Sequence, residues 1–575
     1  MYDPTVTRRR FMGYFSALGL GGTLFPGVLY ALHCENNTPD DMPITVAVIE
    51  QAEKLSGLAF TPEQREMMVQ DLNEARTEYQ EMQAFPLDNE VAPALVFHPD
   101  VRGRLPLDAH NTTRIAVLPK MVKKPSDETD LAFMGIRELS GLLRRREVTS
   151  VELTEVYLRR LKQFDPELLA VVSYTEERAM KAAQKADAEF AAKKYRSLLQ
   201  GIPWGAKDLL ATKGYKTTWG SVPFKDQVLD YDAAVVEKLD AAGAVLLAKL
   251  SMGELAWGDV WFGGKTKSPW NTALGASGSS AGVGATVPAG LVGFGIGTET
   301  LGSIISPSTR SGVTGFRPTF GRVSRYGAMA LTWSMDKIGP MCRSAEDCAL
   351  VFSVLHGRDK RDVVTRDAPF SWPLNPKTLK IGYFNEAFEA DYPNKKADQE
   401  SLQVLRSLGF TLIPTPVPKG FLPGVLTMVI DIESAAAFES LTRSNAVDKM
   451  VRQTKDAWPH VFRVGHLRPA VAYVQANRIR TQLMLAMDNL FQEIDVLISP
   501  SFGREILQIT NLTGHPAVCV PNRFDPLKDE PNAPARETGS ISFISGLYKD
   551  DQALAVAHAF QSVTDWHKRR PPIGR

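Results

Sequence analysis

The chain has 575 residues, 44% hydrophobic and 23% charged, which excludes general disorder and supplies apolar mass for one large core or two smaller ones. Its 66 Lys and Arg nearly cancel its 65 Asp and Glu, which excludes the electrostatic footprint of a nucleic-acid or anionic-membrane binder and favours a small, near-neutral partner. The four cysteines, Cys34, Cys342, Cys348 and Cys519, form no C-x-x-C pair and have no paired histidines nearby. They signal neither a zinc cage nor a disulfide framework, and buried inert thiols are expected.

Residues 7–34, TRRRFMGYFSALGLGGTLFPGVLYALHC, join a basic head to a glycine-softened apolar run. Arg8 and Arg9 before Arg10, Phe11 and Met12 resemble a twin-arginine export signal, so residues 1–34 are expected to be a signal or anchor. Export follows as the expectation, to a periplasmic, extracellular or membrane-tethered location. No A-x-A cleavage site appears, which leaves a membrane tether through this segment open.

Residues 45–84 have a helical pattern. Thr61, Pro62 and Gln64 form an N-cap, a first-turn proline and a capping box. The helix they open places Met67, Val69, Leu72 and Ala75 near one face. Residues 85–113 lose periodicity and are expected to be an extended strap. The polar stretch 117–130 is the candidate boundary. The organisation expected is a helical and extended extension over 35–128 followed by one domain over 129–575.

From about residue 131 the pattern changes. Ile136, Leu139 and Leu143 keep helical spacing, and Thr149 with Glu152 predicts a second capping box. Two helices are thus expected before the first chemistry-bearing strand. AAVVEKLDAAGAVLLAKL (233–250) predicts a helix, a glycine stop and a buried strand. Further strands are expected near 379–383 and 495–499, and the alternation indicates a large α/β domain. Residues 278–303, GSSAGVGATVPAGLVGFGIGTETLGS, combine glycine and serine with valine, leucine and phenylalanine. That mixture predicts a small-residue helix, a buried strand and a tight turn whose backbones approach closely, rather than a linker.

GIPWGAKDLL (201–210), TTWGS (217–221), GASGSSAG (275–282), GTETLGS (297–303) and GVTGFRPTFGRVSRYG (312–327) occur in this order, followed by SMDKIGPM (334–341) and NLTGHPAVCVP (511–521). Over about residues 131–565 the chain resembles the amidase signature family. The resemblance implies an α/β fold with a mixed central sheet sandwiched by helices, and hydrolysis of a carboxamide to acid and amine or ammonia. It places the family's catalytic groups on Lys207, Ser279 and Ser303. Lys207 acts as neutral general base through Ser279, which relays the proton from the Ser303 nucleophile on the way to an acyl-enzyme. The Gly278–Ser279 peptide is expected to be cis. Backbone N–H groups of Thr300, Leu301, Gly302 and Ser303 form the implied oxyanion hole, with Gly278 and Ser280 in support. Lys207 must then be buried, and Asp208 must point elsewhere.

Three positions depart from the family pattern. Leu301 stands where glycine is usual, Ile305 where arginine is usual, and Ala281 replaces a habitual glycine. A leucine at a positive-φ position would misplace the oxyanion donors. Whether Arg310, five positions after Ile305, supplies the missing cation is left open by the sequence.

Other readings compete. GSSAG (278–282) also fits G-x-S-x-G, with Ser280 as an elbow nucleophile, but the stretch before it predicts no strand and no histidine is singled out as its partner. His515 is expected to be structural. A decayed amidase scaffold that only binds its ligand is a further alternative. PTFGRVSRYG resembles the A subunits of glutamyl-tRNA amidotransferases, which implies a glutaminase-type role within a larger complex; the export signal and the N-terminal extension argue against that role. Trp204, Trp219, Trp257, Trp261 and Trp333 lie in or near the family's pocket-forming segments and point to an apolar substrate group. With no phosphate-cradling loop and no metal-ligand cluster, no cofactor or metal is expected. The partners expected are a small-molecule amide, no nucleic acid, and a second copy of the chain, since homodimers are common in the family.

Overall fold

The computed structural model describes residues 43–83, 89, 91, 95–106 and 109–573. The expected signal at 1–34 and Cys34 lie outside the described residues. The chain divides into two compact units at Leu87/Asp88.

The described part of the first unit holds two helices, Val46–Ser56 and Pro62–Gln83. The capping box at Thr61 forms as expected, with Thr61 N donating to Gln64 Oε1 and Gln64 N to Thr61 Oγ1. The covered stripe of the second helix differs from the expected face. It runs through Arg65, Met68, Val69, Leu72, Asn73 and Arg76, while Met67 and Ala75 are exposed. The stripe follows the i, i+3, i+4, i+7 spacing, from which residues 67 and 75 are turned away. Arg65 pairs with Glu53 across the two helices at 2.7 Å.

The second unit, Asp88–Arg575, begins before the polar 117–130 stretch. The strap contributes Thr113–Ile115, which pairs in parallel with Phe370–Trp372. Helices Ile136–Arg145 and Ser150–Leu168 form where expected. Thr149 Oγ1 accepts from Glu152 N at 3.0 Å, while the Glu152 carboxylate pairs with Lys124 at 2.6 Å. A short helix, Glu128–Ala132, a strand, Val171–Tyr174, and a further helix, Glu176–Ala191, also precede the Lys207 strand. The buried face of that further helix, Ala179, Ala183, Ala186 and Phe190, keeps helical spacing but is mostly alanine.

Strands of the main sheet are numbered in chain order: β1 Val171–Tyr174, β2 Pro203–Lys207, β3 Val245–Leu250, β4 Phe294–Glu299, β5 Thr314–Arg317, β6 Lys337–Cys342, β7 Ile381–Tyr383, β8 Leu412–Pro414, β9 Val496–Pro500, β10 Ala517–Pro526 and β11 Arg536–Ser545. They form one 11-stranded sheet in the order β8-β7-β9-β11-β10-β5-β6-β4-β2-β3-β1. The sheet is mixed. β2 pairs in parallel with β3 and β4, and β4 pairs antiparallel with β6. Every residue of β2, β3 and β4 is buried, which explains their continuous apolar runs. Helix Ala281–Thr286 packs on this part of the sheet, and glycines permit it. A Cβ on Gly295 would lie 2.5 Å from Val283 Cγ1, and one on Gly297 would lie 2.8 Å from Ser280 Oγ. The glycine-rich run is therefore a close-packing device. Cys342, Cys348 and Cys519 are free and buried. Among the described residues no helix is long and apolar enough to cross a membrane.

Candidate active site

Parallel pairing of β2 with β4 aligns Ala206 with Ile296, so the two strands end side by side. Lys207 is the last residue of β2, and Thr298 lies at the same edge of β4. Lys207 Nζ is 2.8 Å from Ser279 Oγ and 2.8 Å from Thr298 Oγ1. The lysine side chain is fully buried. Burial disfavours its ammonium form and pulls the pKa down to about 7, although the charges of Asp336 and Glu299 act in the opposite direction.

The Gly278–Ser279 peptide is cis. A Cβ at residue 278 would lie 1.7 Å from the Gly258 carbonyl oxygen, so only glycine fits there. Gly253 N donates to Ser279 O at 3.2 Å, and Ser280 N donates to Ser303 O at 3.2 Å. That second bond ties the Ser303 turn to the segment carrying Ser279. Ser280 Oγ donates to Thr298 O and accepts from Thr298 N, both at 3.2 Å. Ser280 is fully buried and engaged with β4, which removes it as an exposed elbow nucleophile. A short strand, Asn271–Gly275, does precede it, contrary to expectation, but belongs to a separate two-stranded ribbon. His515 is also buried, with Thr513 Oγ1 2.8 Å from its Nδ1. Burial and Arg317 pull its pKa down to about 3, as suits a structural histidine.

Ser303 is 8% exposed and, with Thr300, Leu301 and Gly302, lines a cavity of about 450 Å³. The left-handed residue of this turn is Gly302, with φ +83°, and not Leu301. The leucine therefore needs no forbidden backbone, and the feared distortion of the turn is absent. The N–H groups of Leu301, Gly302 and Ser303 donate to no acceptor among the described residues.

Glu299, the acid of the GTET element, organises this turn. Its Oε2 accepts from Ile304 N at 2.8 Å and Ile305 N at 2.9 Å. Its Oε1 accepts from Arg317 Nη1 at 2.7 Å and Asn511 Nδ2 at 2.9 Å. Arg317 and the backbone donors hold the carboxyl down at about 2 despite burial. Arg310 does not fill the gap left by the arginine missing at position 305. Arg310 is exposed, whereas Arg317 on β5 is fully buried against Glu299. The sequence reading missed both roles, although a glutamate inside an otherwise apolar buried strand signals a need for a partner.

Asp208 points away from Lys207, as required. Its Oδ1 pairs with Lys249 Nζ at 2.9 Å and its Oδ2 accepts from Thr218 N at 2.9 Å. Asp336 accepts from Thr300 Oγ1 at 2.5 Å and from the backbone N–H groups of Leu331 and Thr332. Of the five tryptophans singled out, Trp257 lines the Ser303 cavity and Trp333 lines a neighbouring cavity of about 500 Å³, which meets the first at Ala256, Thr300 and Leu331. Trp204 is core, stacked on Phe294. Trp219 and Trp261 are buried in packing. Trp458, which the sequence reading did not single out, also lines the Ser303 cavity.

A mixed sheet that brings a buried, low-pKa lysine to a serine on a cis peptide, beside a cavity-lining serine turn, defines a hydrolase site for carbon–nitrogen bonds. The amidase family model matches residues 152–556, and the chain belongs to the amidase signature family. The A subunit of the glutamyl-tRNA(Gln) amidotransferase from Acinetobacter baumannii is 34% identical over 501 residues, covering 77% of this chain and 99% of that one. The native peptide amidase of Stenotrophomonas maltophilia shares the fold with TM-score 0.66 at 24% identity, over 77% of this chain and 99% of that one. A bacterial aryl acylamidase shares it with TM-score 0.66 at 22% identity, over 76% and 97%.

Proposed function

We propose that this enzyme hydrolyses a linear carboxamide through an acyl-enzyme on Ser303. Lys207 Nζ at 2.8 Å from Ser279 Oγ is the observation that carries the reading. With its pKa near 7 the amine is neutral in a large share of molecules at neutral pH. It takes the Ser279 proton while Ser279 takes the proton of Ser303, whose oxygen attacks the amide carbon. The N–H groups of the Thr300–Ser303 turn then receive the oxygen that gains charge. The proton returns through Ser279 to the departing nitrogen, the amine leaves, and water attacks the acyl-enzyme along the same relay in reverse. Glu299 is a positioning residue, because it holds the N–H groups just after Ser303 while Arg317 neutralises it.

Turnover of an amide panel tests this. Ser303→Ala and Lys207→Ala are expected to abolish hydrolysis, and Ser280→Ala to retain it. An indispensable Ser280 with a dispensable Lys207 would sink the mechanism. Ligand binding without turnover in every version would favour the decayed scaffold. We further propose that residues 1–34 direct export, on the strength of the Arg8-Arg9 pattern before the apolar run. Exchange of both arginines for lysine is expected to keep the protein in the cytoplasm, and unchanged export would refute the signal.

A further inference from the structure

We infer that the Ser303 cavity selects its amide by charge: it takes an aryl-sized apolar group that is uncharged or positively charged, and it rejects a carboxylate. The inference rests on the reading that Ser303 attacks in this cavity. One wall is aromatic, where Trp257 and Trp458 meet edge to face with ring centroids 4.7 Å apart. Trp458 is itself stacked on Phe462 at 5.3 Å, which fixes the wall. Ile430 and Leu507 extend the apolar lining, and Phe502 stands half exposed at the lining's edge. An aryl group placed there exchanges water for ring contacts.

Among the described residues the one charged side chain in this lining is Asp431. Its Oδ2 has Arg468 at 3.4 Å, near the outer limit of a hydrogen bond, and its Oδ1 accepts no hydrogen bond from the described residues. Arg452, beside Trp257, is committed to the Asp456 carboxylate at 2.7 Å. Neither arginine lines the cavity. A ligand carboxylate in this lining would therefore leave water for an apolar wall and a like charge; the cations of the adjoining cavity are engaged elsewhere, Arg325 with Asp362, Arg361 with Glu237 and Lys337 with the Met335 carbonyl. An ammonium would share this lining with the free oxygen of Asp431 and with indole rings, which attract cations. Glutamine, which carries an α-carboxylate and has no aryl group for the indole wall, is disfavoured in this lining by the same logic.

The test is a titration at pH 6 of the Ser303→Ala protein with 2-phenylacetamide, L-phenylalaninamide, phenylsuccinamic acid and glutamine, followed by calorimetry. Wild-type protein at pH 5, where Lys207 is protonated and turnover stalls, repeats it with the native side chain. The first two amides are expected to bind at least tenfold more tightly than phenylsuccinamic acid, and glutamine least of all. Asp431→Asn should shrink the preference for phenylalaninamide over phenylacetamide. Equal or tighter binding of phenylsuccinamic acid or glutamine overturns the inference, as does failure of all four to bind. Turnover by the wild type separates the two claims. Selective binding without any turnover removes the acyl-enzyme reading and leaves the selectivity standing, whereas turnover with the reverse charge preference does the opposite.

Discussion

Lys207 and Lys249 are both fully buried and sit on adjacent parallel strands, where Ala206 pairs with Lys249 and Lys207 with Leu250. Their partners differ. Lys249 has the Asp208 carboxylate at 2.9 Å and the Thr217 hydroxyl at 2.8 Å. Lys207 has only hydroxyls and a carbonyl in direct contact. Burial lowers both pKa values, but the touching carboxylate opposes the effect at Lys249, whereas Asp336 and Glu299 act on Lys207 from a distance. A buried lysine with an anion beside it is a structural cation; one facing serine and threonine oxygens is available as a base. Neighbours along the chain, Lys207 and Asp208, serve the two purposes separately because the strand ends at Lys207 and the turn that follows carries Asp208 to Lys249 and Thr218.

Exchanging the two lysines one at a time is the strongest way to break this contrast. Lys207→Met should cost about 10⁴-fold or more in kcat with the fold retained, as measured by turnover beside thermal unfolding. Lys249→Met should instead strip Asp208 of its partner and cost about 3–5 kcal/mol in urea unfolding, with much smaller loss of activity in the molecules that remain folded. Similar activity losses from the two variants would erase the distinction.

The distinction was only half legible in the sequence. The lysine, the relay serine and the nucleophile lie inside long motifs whose order and spacing carry them, and GVGATV followed by GFGIG predicted the close-packed helix and strand. The partners were not legible, because they come from distant chain segments. Arg317 reaches Glu299 from β5, Asn511 from near the C-terminus, and Lys249 reaches Asp208 from β3. Arg310, nearer to the gap at Ile305 in sequence, is turned out to solvent. Trp458 and Asp431 lie in a region without motifs, and only the fold brings them to the Ser303 cavity. The helix Glu176–Ala191 was missed although its buried face keeps helical spacing, because that face is mostly alanine, a weak apolar marker, and no side-chain cap marks its start.

A smaller effect should come from the clamp behind the nucleophile turn. Glu299→Gln is expected to lower kcat by roughly 10–100-fold with KM little changed, since it loosens the turn rather than the cavity wall. Glu299→Asp should recover part of the loss. Equal changes in kcat and KM would point to general damage instead.

The pH dependence sharpens the same contrast. kcat/KM should rise about tenfold per unit up to pH 7 and then level off, because only neutral Lys207 accepts a proton. The folded chain gives up this proton near 7 and the unfolded chain near the ordinary lysine value of 10.5. Between these the unfolded state binds more protons, so this group's contribution to stability increases with pH across that window. Lys207→Met should flatten that slope in unfolding experiments repeated at pH 7 and pH 9.

The smallest change expected is that of Ser280→Ala, which removes two bonds to Thr298 and should cost about 1 kcal/mol of stability while leaving measurable turnover.

The most direct test of the central claim is the rate at which a fluorophosphonate modifies Ser303, followed by intact-protein mass spectrometry across pH 5–9 in wild type and Lys207→Ala. The account predicts a single adduct on Ser303 whose rate rises through about pH 7, with that rise lost in the variant. An adduct on Ser280, or an unchanged rate and pH profile without Lys207, would contradict it.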